Sequence, residues 1–348
     1  MKRAIFMAPK CLLSLVVIWQ LSVVAVVAQS DNNISLSATN PAAIVMLDRV
    51  MDDYVRKIGC TAGVLAVGKN EQLLYSRGYG WLDKERTLPA PANAYIGIAS
   101  CEKPITAAAV RKLAREGKFS LNAPLFDTLG IRPAGKVVDA RVNLITFEHV
   151  LEHKAGWGGD IRGELTAVAK SAGANPPFDV PKLLAYARSR PLVDEPGQVF
   201  KYSNFGFDTM RHVVWFMSKQ SPGVYYREHL LQKSACKEIG EPIELPLLQR
   251  KFRAVWNLND GGPIFASAQY LCHFMDEYWM SGNFRSSRLM YGSLPGSTAI
   301  MIWRSDGINF VANFNGRNET KHDEIKTALE KVIDQIKPEL LSHLVSQF

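Results

Sequence analysis

Apolar residues recur at helical spacing over the first well-patterned stretch of the chain. Leu47, Val50, Met51, Tyr54 and Ile58 share one face, after Asn40-Pro41, a cap and a proline suited to a first helical turn. Gly59 ends that helix, and the period then changes. Cys60 to Val67 and Gln72 to Tyr79 read as two strands joined by the polar Gly68-Lys69-Asn70-Glu71, which predicts an antiparallel hairpin. The far end mirrors this order. Thr298 to Trp303 and Ile308 to Phe314 flank Ser305-Asp306-Gly307, a second hairpin, and a helix over 321–336 follows with Ile325, Leu329, Val332 and Ile336 on one face. Residues 101–285 carry few alternating runs and read as helices and loops. The economical layout is an α+β fold: an antiparallel sheet from both chain ends (41–100 and 286–348), flanked by the terminal helices, with a mainly helical lobe (101–285) inserted.

Composition agrees with a globular chain. Of 348 residues 47% are hydrophobic and 21% charged, and the 18 Pro and 25 Gly are dispersed, which excludes a disordered, collagenous or coiled-coil protein. Residues 1–28 stand apart. Lys2, Arg3 and Lys10 precede an apolar run from Cys11 to Ala28 that ends on Val26-Val27-Ala28, the pattern of a secretory signal, so the functional domain is placed at 29–348 and the protein outside the cytoplasm, secreted or periplasmic. The alternative is a membrane anchor over 11–28 if the segment stays uncleaved. Losing the three basic residues lowers the net charge from +8 to +5. That excess is diffuse and no basic stripe forms, so nucleic acid is not an expected partner.

Four cysteines remain, Cys60, Cys101, Cys236 and Cys272, compatible with three full disulfide pairings. No CxxC, HExxH or His/Cys cluster has ligand spacing, so neither a metal nor another cofactor is expected. Ser100-Cys101-Glu102-Lys103 opens the helix former Pro104 to Gly117, which puts Ser100 at a helix N-terminus. Orphan N–H groups and the helix dipole favour negative charge there, and i,i+3 geometry holds the Lys103 amine one turn away, able to take the serine proton. The same spacing also suits a serine cap beside a solvated lysine, and it occurs again at Ser234-Ala-Cys-Lys237. Two further segments carry candidate groups: Tyr202-Ser203-Asn204, a phenol and an amide on one loop, and Gly292-Ser293-Leu294-Pro295-Gly296, a turn before an apolar strand. Gly130 to Lys136 imitates a phosphate loop, but Val137 stands where Ser or Thr is needed, and no GxSxG is present. His149 and His153 read as structural, and Trp157, Trp215, Trp256 and Trp303 as core packing.

Taken in order, these segments resemble the penicillin-recognising serine hydrolases, the superfamily of class C β-lactamases, penicillin-binding proteins, D-aminopeptidases and related esterases. Ile96 to Ala107 is similar to that family's nucleophile segment and Lys201 to Gly206 to its Y-x-N loop. Ile145 to Trp157 and Asn259 to Ser267 are similar to its intervening elements, and the likeness runs from about 44 to 333. The resemblance implies a β-lactamase/transpeptidase-like fold and an acyl-enzyme mechanism without cofactor. It implies Ser100 as nucleophile, Lys103 as its general base or the group that tunes it, Tyr202 as proton relay, Asn204 as substrate contact, and the backbone N–H groups of Ser100 and Ser293 as oxyanion hole. One position departs. The aligned third motif is Met290-Tyr291-Gly292, and Met290 offers neither charge nor hydrogen-bond donor where relatives place Lys or His. The expected substrates are therefore small-molecule or peptide esters and amides ahead of β-lactams. The alternative is a non-catalytic binding protein on the same fold.

Overall fold

The structure, a computed structural model, describes residues 41–173, 179–230, 239–240, 265–279 and 289–345. The signal-like segment at 1–28, the second S-x-x-K at 234–237 with Cys236, and Trp256 lie outside them. Helix α1 (Pro41–Ile58) leads into strands β1 (Ala62–Lys69) and β2 (Gln72–Gly80). Their turn is tighter than the polar run predicts. Lys69 pairs with Gln72, leaving only Asn70 and Glu71, whose φ values of 53° and 63° are both left-handed. Such a turn carries the twist of the strands it joins.

The short β3 (Ile96–Gly97) runs into a single 3-10 turn, Ala99–Cys101, and then helix α2 (Glu102–Arg115). The lobe follows: α3 (Leu125–Thr128), α4 (Phe147–Leu151), α5 (Arg162–Ser171), α6 (Val180–Arg188), α7 (Asn204–Ser218) and α8 (Pro222–His229). After β4 (Ile239–Gly240), β5 (Phe265–Ala266) and α9 (Ala268–Phe274), the chain returns as β6 (Leu289–Leu294), β7 (Ser297–Trp303), β8 (Ile308–Phe314) and α10 (His322–Val345).

The five-stranded sheet has the order β2-β1-β8-β7-β6, every pair antiparallel. Both chain ends meet at its centre, where Gly63 lies opposite Phe314 and Lys69 opposite Ile308. Strands β1, β7 and β8 are covered on both faces and are mostly apolar, with Ser297, Thr298, Asn309 and Asn313 the buried polar positions of β7 and β8. On one face Leu47 and Met51 of α1 and Ile325 and Leu329 of α10 pack on Leu65, Ile300 and Phe310. On the other, Val64, Ala66, Met301 and Val311 join a core shared with Ile105 and Ala109 of α2 and Phe205 of α7.

Four expectations need correcting. Gly292-Ser293-Leu294 is not a turn before a strand but part of edge strand β6; the turn is Pro295-Gly296, with Gly296 at φ 79°. The C-terminal helix continues past 336 to Val345. Trp215 is not core packing, being 49% exposed on α7. Cys60, Cys101 and Cys272 form no disulfide with one another, and each of the three full pairings needs one such bond. Among the described residues no helix is long and apolar enough to cross a membrane.

Candidate active site

Ser100 sits, half-buried, in the 3-10 turn that opens α2. Ala99 before it has φ 48°, a left-handed conformation that costs an alanine about 1 kcal/mol and persists only when its surroundings enforce it. Strand β6 supplies the enforcement. Gly292 lies so close under the turn that an added Cβ would fall inside van der Waals contact of the Ile98 carbonyl oxygen and 3.1 Å from the Ala99 Cβ. Only glycine fits there. Ser297 of β7 donates its hydroxyl to the Gly97 carbonyl, and the Cys101 thiol points to the Met290 carbonyl at 3.5 Å.

Two donors converge on the serine oxygen. Lys103 Nζ stands 3.1 Å from Ser100 Oγ and the Tyr202 hydroxyl 2.8 Å from it. Lys103 is buried, and its amine also donates to Asn204 Oδ1 at 3.0 Å. Ser100, Lys103, Tyr202 and Asn204 thus form one hydrogen-bonded cluster, with residues from α2 on one side and from the α7 entry on the other. Ser293 follows Gly292 in β6, and its hydroxyl accepts from Arg317 Nε at 3.2 Å. Met290, half-buried in the same strand, packs against the core shared by α2 and the lobe and brings no charge.

The Tyr202 loop is held from behind. His153 Nδ1 accepts the Ser203 N–H at 3.0 Å, and its ring stacks on Tyr202 with centroids 4.8 Å apart. Burial, with the Lys103 charge adding, pushes the His153 imidazole down to about 4, so it stays neutral across the ordinary pH range. His149, by contrast, completes a capping box with Thr146 at the start of α4.

Sequence reasoning missed two supports. Asp160 accepts from Asn204 Nδ2 and from the Phe205 N–H, both at 3.1 Å, and so orients the amide that meets Lys103. Its signal was the glycine-rich Gly156-Trp-Gly-Gly159 just before it. Glu102, one residue from Lys103, is the second support. Its carboxylate lies buried on Arg211 of α7, at 3.1 and 3.2 Å, clipping the nucleophile helix to the helix that begins at Asn204. Burial disfavours the Arg211 charge, but Glu102 and then Asp208 outweigh it and hold the guanidinium protonated. Buried pairs of this kind add little net stability, and their effect is on geometry.

Residues 47–286 match the family described as Beta-lactamase, more than half of the chain. The chain belongs to the beta-lactamase family. That places it in the serine hydrolase superfamily. The match stops before β6, leaving Met290 and Ser293 outside it. Among characterised relatives, Esterase EstB of Burkholderia gladioli is 31% identical over 186 residues, 52% of this chain and 46% of that protein. Protein flp of Staphylococcus aureus strain MW2 is 26% identical over 187 residues, 53% and 36% of the two chains. The chain thus matches less than half the length of these relatives. Of solved structures, the D-amino acid amidase of Ochrobactrum anthropi SV3, in complex with L-phenylalanine amide, superposes with a TM-score of 0.63 at 15% identity, over 85% of this chain and 99% of that one. The D-alanine carboxypeptidase AmpC of Burkholderia cenocepacia gives 0.62 at 13%, over 84% and 99%. These likenesses establish the β-lactamase-type fold.

Proposed function

We propose that this family member is an exported serine hydrolase that cleaves an ester or amide through an acyl-enzyme at Ser100. The observation that carries the reading is the convergence of Lys103 Nζ and the Tyr202 hydroxyl on one serine oxygen. In acylation the free-base amine of Lys103 takes the Ser100 proton as Oγ bonds the substrate carbonyl carbon. Tyr202, hydrogen-bonded to Ser100 Oγ, passes the proton taken by Lys103 on to the departing alcohol or amine, giving up its own hydroxyl proton and recovering one from the lysine. Water then attacks the acyl-serine through the same groups in reverse. The backbone N–H groups of Ser100 and Ser293 hold the oxyanion, a role indifferent to the side chain at 290. Export rests on residues 1–28, and the partner is a small molecule or peptide, not nucleic acid.

Substrate choice follows from Met290. A β-lactam carries a carboxylate beside its ring, and a thioether in place of a cation forgoes a charge-assisted hydrogen bond worth about 1.5–3 kcal/mol. A short uncharged p-nitrophenyl ester is expected to exceed a chromogenic cephalosporin in kcat/KM by roughly ten- to a hundredfold on this ground, and Met290→Lys to narrow the gap. Efficient cephalosporin hydrolysis by the unaltered protein, or no selective gain from the lysine, contradicts that assignment. The alternative, a binding protein on this fold, requires that no substrate be turned over at all.

A further inference from the structure

An apolar rim borders the cleft on its lobe side, and no step above uses it. Val193, Val199 and Phe200 are 63%, 40% and 61% exposed, beside Tyr202 at 42%. Apolar side chains gathered in solvent at a reactive centre mark a contact surface. This rim is continuous with Ser100. Phe200 meets the His153 imidazole edge-on, with centroids 5.4 Å apart, and Tyr202 stacks on that same ring while its hydroxyl reaches the serine. On the other side Val193 lies over Gly158, where an added Cβ would come 2.8 Å from Val193 Cγ2. Gly159 passes beside the Tyr202 carbonyl. With φ of 85° and 127°, these glycines make a turn open to few other residues, with Val193 against its first glycine and the Tyr202 carbonyl beside its second.

The position of the rim selects its occupant. It adjoins Tyr202, the group placed to protonate the leaving group, and the exposed side chains at 193, 199 and 200 are uncharged although Glu195 and Lys201 stand exposed in the same segment. We infer that Phe200 and Val193 form a subsite for an apolar leaving group, the alkyl chain of an ester alcohol or an amine. This inference rests on the serine-hydrolase reading.

Full burial of a methylene is worth about fourfold in affinity, and a one-sided rim about twofold. Hexyl acetate, with four more methylenes, is therefore expected to exceed ethyl acetate by about fifteenfold in kcat/KM. Their kcat values converge if the shared acetyl-enzyme limits turnover. Phe200→Ser and Val193→Ser should each cut the hexyl-to-ethyl ratio by threefold or more, and Phe200→Leu should retain most of it. Val45→Ser, an exposed apolar residue on α1, should leave the ratio as it is. The ratio of ethyl hexanoate to ethyl acetate, which varies the acyl side instead, should not follow the rim variants. A leaving-group ratio untouched by both serine variants, or an acyl-side ratio that falls in its place, overturns the inference. So does a rim whose substitution abolishes binding to phosphatidylcholine vesicles without altering either ratio, because that surface faces a membrane. Ester turnover that survives Ser100→Ala overturns the hydrolase reading instead, whatever the ratios show.

Discussion

The two walls of the cleft are held in place by different physics. The sheet wall is fixed by contact: Gly292 leaves no room between β6 and the Ala99–Cys101 turn, and the strained Ala99 is pressed into shape by that lack of room. The lobe wall is fixed by hydrogen bonds: Asp160 holds Asn204 and the Phe205 N–H, His153 holds the Ser203 N–H, and Tyr202 rests on the imidazole. A contact wall should fail when an atom is added. A hydrogen-bonded wall should tolerate changes of shape and fail when an acceptor is lost or protonated.

The sharpest break is Gly292→Ala. The new methyl meets a backbone carbonyl that cannot rotate away, so the turn must shift, at about 1–3 kcal/mol of stability and with a fall of 10² or more in kcat/KM from a displaced nucleophile. Thermal unfolding and ester kinetics on one preparation check it. Unchanged kinetics would mean that contact does not set the serine's position.

Asp160→Asn is the milder counterpart. It keeps the volume and one acceptor oxygen but turns an N–H₂ toward one of two donors, so about a tenfold loss in kcat is expected with the fold intact. A loss matching that of Gly292→Ala would erase the contrast between the walls.

The smallest effect is a pH dependence. The His153 imidazole sits near 4 in the folded protein and near 6.5 when exposed, so the unfolded chain takes the proton first. Its contribution to stability is complete above pH 6.5 and lost as pH falls through that window toward 4, amounting to about 2–3 kcal/mol after allowing for partial exposure. His153→Asn keeps an acceptor and suits the left-handed φ of 56°, so urea unfolding from pH 7 to 4 should show a flatter profile in the variant. Parallel profiles would assign the acid loss to other groups.

Much of this was legible in the chain. The period changes near residues 60 and 298 foretell the sheet built from both ends, because β1, β7 and β8 are buried on both faces and cannot hide their apolar character. Edge strand β6 was not legible as a strand: Leu-Met-Tyr-Gly-Ser-Leu is half-exposed along most of its length and has no clean alternation. In the site, Ser100 and Lys103 show through their own i,i+3 spacing. Asp160 acts on a residue 44 positions away and Arg211 on one 109 away, and spacing carries no signal at that range. Nothing local to Glu102 reveals that Arg211 of α7 meets it.

The central claim is that Ser100 Oγ is the nucleophile served by Lys103 and Tyr202. A fluorophosphonate probe, followed by mass mapping of the adduct, tests it most directly. The expected result is one labelled peptide modified at Ser100, with labelling abolished by Ser100→Ala, slowed by at least 10² in Tyr202→Phe, and unaffected by Ser234→Ala in the second S-x-x-K. Labelling that persists without Ser100, or that never occurs on the folded protein, contradicts the account.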